Sequence, residues 1–306
     1  MAHPVTAGRR PLRELIAAPH PDVAPLPAAA RGESGTRVLR GVPFAEHAGS
    51  RPLELDLWLP ESTEREALPL VLFVHGGAWL RGRRDDMGRA TRDWDPGPFA
   101  RIAAAGFAVA CADYRLSGEA RFPAPLDDLR AALRWLGLRA AELDLDIGRT
   151  VVWGESAGGH LASLLALTPH TGPAPVAAVV WYGPADLTTA RGSYDPRSST
   201  TPEALLLGGA PAAHPGRARD ASPLTHAHRG APPFLLVHGE EDTMVACSHS
   251  RDLAARLEEV GAPVRLRTVP GADHGWYGVS AARVEDVFDQ SLRFTRHVTR
   301  RGAGGG

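Results

Sequence analysis

Along the chain, short apolar runs alternate with segments whose leucines recur at helical spacing. Residues 53–59, LELDLWL, place Leu53, Leu55, Leu57 and Leu59 at every second position, the period of a strand with one apolar face. Residues 69–75, PLVLFVH, form a continuous apolar run closed by glycines, as a parallel strand buried on both faces would be. The runs at 106–114, 150–154, 176–183, 233–239 and 264–270 predict further strands. Between them, Leu126, Leu129, Leu133 and Leu136 recur at spacings of three and four, as do Leu161, Leu164 and Leu165. Leu253, Leu257 and Val260 repeat the pattern with Gly261 as the stop, and Val284, Val287, Phe288 and Leu292 predict a last helix. Strands alternating with helices predict an α/β fold with a mostly parallel central sheet covered by helices on both faces.

Two stretches break this rhythm. Residues 188–231 are rich in Ser, Thr, Pro, Ala and Gly, and only PEALLLG at 202–208 has a helical pattern. Long intervals of this kind in compact domains serve as lids or binding loops, so a small cap insertion is expected here. Residues 1–39 carry early charges and repeated prolines but no sustained apolar core, which predicts a loose arm rather than a signal peptide. The globular domain is then expected over 40–298, with a disordered tail at 299–306 ending in RGAGGG. No run of apolar residues reaches the length of a membrane span.

Composition narrows the chemistry. At 306 residues, with 43% hydrophobic and 23% charged residues, the chain fits one large α/β domain. A formal net charge of −1 gives no reason to expect nucleic acid or an anionic membrane as partner. The two cysteines, Cys111 and Cys247, lie in or beside apolar runs and are expected as buried thiols rather than a disulfide framework, which suits a cytoplasmic protein. Lysine is absent, which excludes a Schiff-base lysine, a P-loop lysine and a pyridoxal phosphate anchor. Neither HExxH nor a Cys/His ligand spacing occurs, so no metal and no cofactor are expected.

One motif points to a reaction. Gly154-Glu155-Ser156-Ala157-Gly158 fits G-x-S-x-G, a nucleophile elbow, with a predicted strand before it and a helical pattern after it. Gly154 and Gly158 remove side chains that would collide at such a tight turn. A serine hydroxyl needs a base and an orienting acid to attack at neutral pH. His274, in PGADHGWYG after the last predicted strand, is the best placed histidine, whereas His160 sits one turn into the elbow helix, where packing is expected. For the acid, Asp242 in VHGEEDTMV follows a buried strand by a few residues, and Asp186 in WYGPADL is the rival. In FVHGGAWLRG, glycine amides after a buried strand can approach a tetrahedral oxyanion, with the Ala157 amide as the donor from the elbow. His75 is expected to brace that loop. Trp79, Trp276 and Tyr277 stand next to the loop and to His274 and are expected to narrow the pocket.

HGGAW, DYRL, FPAPLDDLRAALRWL, GESAGGHLA, ASPLTHA, PPFLLVHGEEDTMV and GADHGW, in this order, resemble the α/β-hydrolase superfamily of HGG-type esterases. That group includes hormone-sensitive-lipase-like and feruloyl-esterase-like carboxylesterases and the kynurenine formamidases. The resemblance implies Ser156, Asp242 and His274 as a catalytic triad, with Gly76, Gly77 and Ala157 as oxyanion donors. It does not fix the substrate, because esterases and formamidases share these motifs; the expected reaction is hydrolysis of small carboxylic esters through an acyl-enzyme, with an arylformamidase, or a non-catalytic binding protein on the same fold, as the rivals.

Overall fold

The computed structural model describes residues 19–61, 67–169 and 171–300. Among the described residues, strands β1 (Ala30–Arg31), β2 (Arg37–Ala45), β3 (Leu53–Leu59), β4 (Leu68–Val74), β5 (Ala108–Ala112), β6 (Leu145–Glu155), β7 (Ala177–Trp181), β8 (Phe234–Gly239) and β9 (Val264–Val269) form one sheet. Their order is β1-β2-β3-β5-β4-β6-β7-β8-β9. β1, β2, β3 and β5 pair antiparallel in succession, and every pairing from β5 through β4 to β9 is parallel.

Among the described residues the helices are α1 (Pro98–Ala104), α2 (Ala124–Leu138), α3 (Ala157–Leu167), α4 (Pro202–Leu207), α5 (Pro215–Asp220), α6 (Ser248–Glu259) and α7 (Ala281–Val298). Successive residues of a strand face opposite sides, and the core divides accordingly. Leu70, Leu72 and Val74 of β4 belong to one apolar layer with Leu129 and Leu133 of α2, Leu161 and Leu165 of α3 and Leu253 of α6. Val71 and Phe73 of the same strand belong to the other layer, with Phe99 and Ile102 of α1 and Val287 and Phe288 of α7. The predicted α/β class with helices on both faces is the one observed.

One expectation changes. The arm expected as loose over 1–39 lies outside the described residues up to 18, but from 19 onward it is built into the domain. The Pro21 carbonyl accepts from Trp135 Nε1 at 2.9 Å, and β1 and the start of β2 pair at the sheet edge. The interval 188–231 is likewise packed down: Leu206 and Leu207 of α4 and Ala218 of α5 are buried, and Phe122 N–H donates to the Leu206 carbonyl at 2.9 Å. The expected tail begins at Thr299, which ends α7, and lies outside the described residues from 301. Among the described residues no helix is long and apolar enough to cross a membrane, and no group of three or more His, Cys, Asp or Glu is placed to hold a metal ion.

Candidate active site

The parallel strands end on one edge of the sheet, and the candidate residues lie in the loops just beyond their carboxyl ends, where open α/β sheets bind ligands. β6 ends at Glu155, Ser156 follows at φ 52° and ψ −122°, and α3 begins at the next residue. That left-handed turn is uncommon for a residue with a side chain and persists only where its surroundings over-determine it. Ser156 N–H donates to the Trp181 carbonyl at 2.9 Å, which ties the turn to β7. A Cβ on Gly154 would meet the Gly158 carbonyl oxygen at 2.2 Å, and one on Gly158 would meet the Val74 oxygen at 2.0 Å. Both glycines are therefore required by close backbone approach.

Ser156 Oγ lies 3.0 Å from His274 Nε2, and His274 Nδ1 lies 2.8 Å from Asp242 Oδ2. A carboxylate only accepts, so Nδ1 carries the imidazole proton and Nε2 offers its lone pair to the serine hydroxyl. Asp242 Oδ1 accepts from the amides of Met244 at 3.0 Å and Val245 at 2.7 Å, and His238 Nε2 approaches Oδ2 at 3.3 Å. Burial alone would push this carboxyl up, but the hydrogen bonds from His238, His274 and Val245 hold it well below the usual carboxylate range. Asp273 Oδ1 accepts from Thr243 N–H at 2.7 Å and from His274 N–H at 2.6 Å, so the loop bearing the acid and the loop bearing the histidine are fixed to each other. Asp186, the rival acid, is engaged elsewhere: it pairs with Arg191 and accepts from Thr188 N–H, both at 2.8 Å.

The loop after β4 holds an arrangement that the HGG motif alone did not disclose. Gly76 N–H donates to Glu155 Oε1 at 2.7 Å, so this amide, expected to face an oxyanion, is already occupied. Burial pushes the Glu155 carboxyl up, against the lowering influence of His274, Gly76 and the Tyr182 hydroxyl, which hydrogen-bonds the same carboxylate. The Tyr182 ring packs edge-on against His274 at 4.8 Å. Beyond Gly76 the chain turns left-handed at Gly77, Ala78 and Trp79, with φ 110°, 57° and 56°. The Gly77 carbonyl accepts from Leu80 and Arg81 N–H, both at 3.1 Å, and the Trp79 carbonyl accepts from Ser117 N–H at 2.8 Å. His75 braces the loop as expected, its Nδ1 2.7 Å from the Gly76 carbonyl oxygen and its ring stacked on Tyr114 at 4.4 Å. His160 is fully buried with Nε2 against the Ala221 carbonyl at 2.6 Å, which is a packing role.

Ser156, Ala157 and His274 open onto a cavity of about 260 Å³ whose lining includes Ala78, Trp79, Tyr194, Glu203 and Met244. Of the three aromatic residues expected at the pocket, Trp79 is on its wall and the other two are not. Gly275 and Trp276 are left-handed, at φ 66° and 67°, which turns the Trp276 ring back under the site onto Tyr182 and Trp181. Tyr277, 71% exposed, points away into solvent. Sequence reasoning missed Glu155, Tyr182, His238 and Glu203. The available signal for Glu155 was an acid directly after the apolar run 151–154; for Glu203 there was none.

The chain matches the BD-FAE family model over residues 55–257, a span that includes Ser156 and Asp242 and ends before His274. Esterase LipC of Mycobacterium tuberculosis is 30% identical over 273 residues, covering 82% of this chain and 64% of the relative. Carboxylesterase NlhH of the same species is 42% identical over 122 residues, 39% of this chain and 35% of the relative. The chain thus spans less than two thirds of the length of these curated relatives. Among solved structures, a truncated carbohydrate esterase from gut microbiota is similar with a TM-score of 0.76 at 25% identity, covering 90% of this chain and 99% of the other. Esterase 2 of Thermogutta terrifontis shares the fold with a TM-score of 0.70 at 22% identity, over 89% of this chain and 96% of the other. With the family model matched across most of the sheet and the elbow, this chain belongs to the BD-FAE family, within the α/β-hydrolase superfamily.

Proposed function

We propose that the protein is a serine hydrolase that cleaves short-acyl carboxylic esters through an acyl-enzyme. The observation that carries this reading is the continuous chain from Ser156 Oγ through His274 to Asp242, opening on a cavity of about 260 Å³. Ser156 Oγ attacks the ester carbonyl carbon while its proton passes to His274 Nε2. Asp242 keeps the imidazole oriented and stabilises the imidazolium as it forms. The tetrahedral oxyanion receives N–H donors from Gly77, Ala78 and Ala157; Ala78 takes the place first expected for Gly76, whose amide is spent on Glu155. Collapse expels the alcohol, which takes the proton from His274, and water then repeats the sequence to release the acid.

The esterase names of the relatives favour an ester over a formamide, although an N-formyl group would meet the same machinery. Residues 188–231 serve as a small cap, since Ser193, Tyr194, Thr201, Pro202 and Glu203 from this interval line the cavity. A cytoplasmic setting belongs to the same reading, supported by Cys111 and Cys247, both free and buried. The experiment is turnover of p-nitrophenyl acetate and N-formylkynurenine by the protein and by Ser156→Ala. The acetate should be hydrolysed, and the variant should lose about 10⁵–10⁶ in kcat. Turnover of the formamide alone, or an Ala variant of near-full activity, would refute the proposal.

A further inference from the structure

Every basic residue of this sequence other than histidine is arginine, and among the described residues no arginine lines the cavity beside Ser156. An acid does. Glu203, in the first turn of α4, is part of the wall that the cap contributes, together with Thr201 and Pro202. Among the described residues it has no ion-pair partner. Burial pushes its carboxyl above the ordinary range, against the lowering influence of its own backbone N–H and the Thr201 hydroxyl. The ordinary use of a glutamate in the first turn is to complement the helix dipole from the solvent side. Glu203 occupies that position but turns inward, and its neighbours in the cavity are Trp79, Pro184, Tyr194 and Val245. A carboxylate on the wall of a largely apolar cavity, without a cation of its own, is partly desolvated, a cost that protonation or a cationic ligand offsets.

We propose that Glu203 makes this site selective for esters whose alcohol or acyl portion carries a protonated or quaternary amine, with the cationic group seated between the Glu203 carboxylate and the Tyr194 and Trp79 rings. This rests on the esterase reading above and adds the charge of the substrate to it. A cation suits the cavity better than a hydroxylated, uncharged group for a physical reason. An ammonium restores the charge balance that the wall lacks and is attracted by aromatic faces, whereas a hydroxyl offers the carboxylate one hydrogen bond and leaves the charge uncompensated. Among the described residues, the only other titratable side chain on the cavity wall besides Glu203 and Tyr194 is His274, whose proton the ester reaction itself requires. The same field disfavours anionic esters.

The test compares acetylcholine with its uncharged carbon isostere, dimethylbutyl acetate, each kcat/KM divided by the rate of hydroxide hydrolysis of that ester. A parallel pair, glycerol monoacetate against propyl acetate, reads hydroxyl recognition. The protein should favour the cationic member by about tenfold, the size of a partly buried charge pair, and Glu203→Gln should bring that ratio close to one. Equal turnover of the two isosteres, or a preference that survives in Glu203→Gln, overturns the inference and leaves the esterase reading standing. A Glu203-dependent preference confined to glycerol monoacetate overturns it in favour of hydroxyl recognition. Absence of turnover of all four esters by the folded protein removes both readings together.

Discussion

Asp242 accepts from two backbone amides and from His274, and this is what an orienting acid needs: a fixed place and a retained charge. Asp242→Asn should therefore lower kcat by about 10³–10⁴, because the imidazole loses the partner that sets its tautomer. Asp186→Asn should change kcat less than about tenfold, since Asp186 answers to Arg191 and Thr188. Steady-state kinetics on one ester, with circular dichroism to confirm folding, checks the ranking. Glu155 allows a pH prediction with a definite sign. Its folded pKa is raised by burial, so the fold favours the protonated carboxyl. Stability is unaffected below the ordinary carboxylate value, falls as pH rises from there to the folded value, and carries the full cost above it. Glu155→Gln, which can still accept from Gly76 N–H, should leave Tm unchanged near about pH 4 and raise it near neutrality. The same variant should lose about tenfold in kcat, because the negative charge beside His274 no longer stabilises the imidazolium. A Tm difference that is the same at both pH values would refute this account of Glu155.

At the scale of elements, the elbow is a contact between the start of α3 and the end of β4. Gly158→Ala would place a methyl 2.0 Å from the Val74 carbonyl oxygen and 2.5 Å from that of His75, and backbone atoms in a central strand cannot step aside. The variant should lose about 1–3 kcal/mol of stability and most of its activity. Gly216→Ala in α5, where an added Cβ meets nothing within 4 Å, should be neutral or slightly stabilising. Chemical denaturation of the pair measures both. The buried parallel strands were readable from sequence because each contains a contiguous apolar run, and the Ser156 turn because its glycines are sterically required. β2 escaped notice because its pairing with β3 shifts register between Leu39 and Val42 and again before Ala45, which interrupts the two-residue period. Trp276 was misplaced for a related reason. Proximity in sequence to His274 suggested the pocket, but two left-handed residues reversed the chain. Glu203 lay in the one short helical pattern of the interval, with no signal of which way it faces, and only the packing of residues 188–231 brings it to the cavity beside Ser156.

For the whole molecule, the proposed cap would decide what can enter. The interval 188–231 contributes two six-residue helices, α4 and α5, whose Ala204, Leu206, Leu207 and Ala218 are buried against the rest of the domain. The cavity of about 260 Å³ lies below the usual range of drug-sized sites, roughly 300–1,000 Å³. Each added methylene gains about 0.8 kcal/mol until the wall is reached and is penalised beyond it. Among uncharged esters, kcat/KM should peak between acetyl and hexanoyl and fall steeply by dodecanoyl. A rise continuing to long chains, or a jump in rate at a lipid–water interface, would contradict a fixed cap. The central claim, that Ser156 is the nucleophile of an ester hydrolase, is tested most directly by inactivating the protein with a fluorophosphonate and mapping the adduct by mass spectrometry. The account predicts one adduct per chain, on Ser156, forming in step with loss of esterase activity and absent from Ser156→Ala. An adduct on another serine, or full activity remaining after Ser156 is modified, would contradict it.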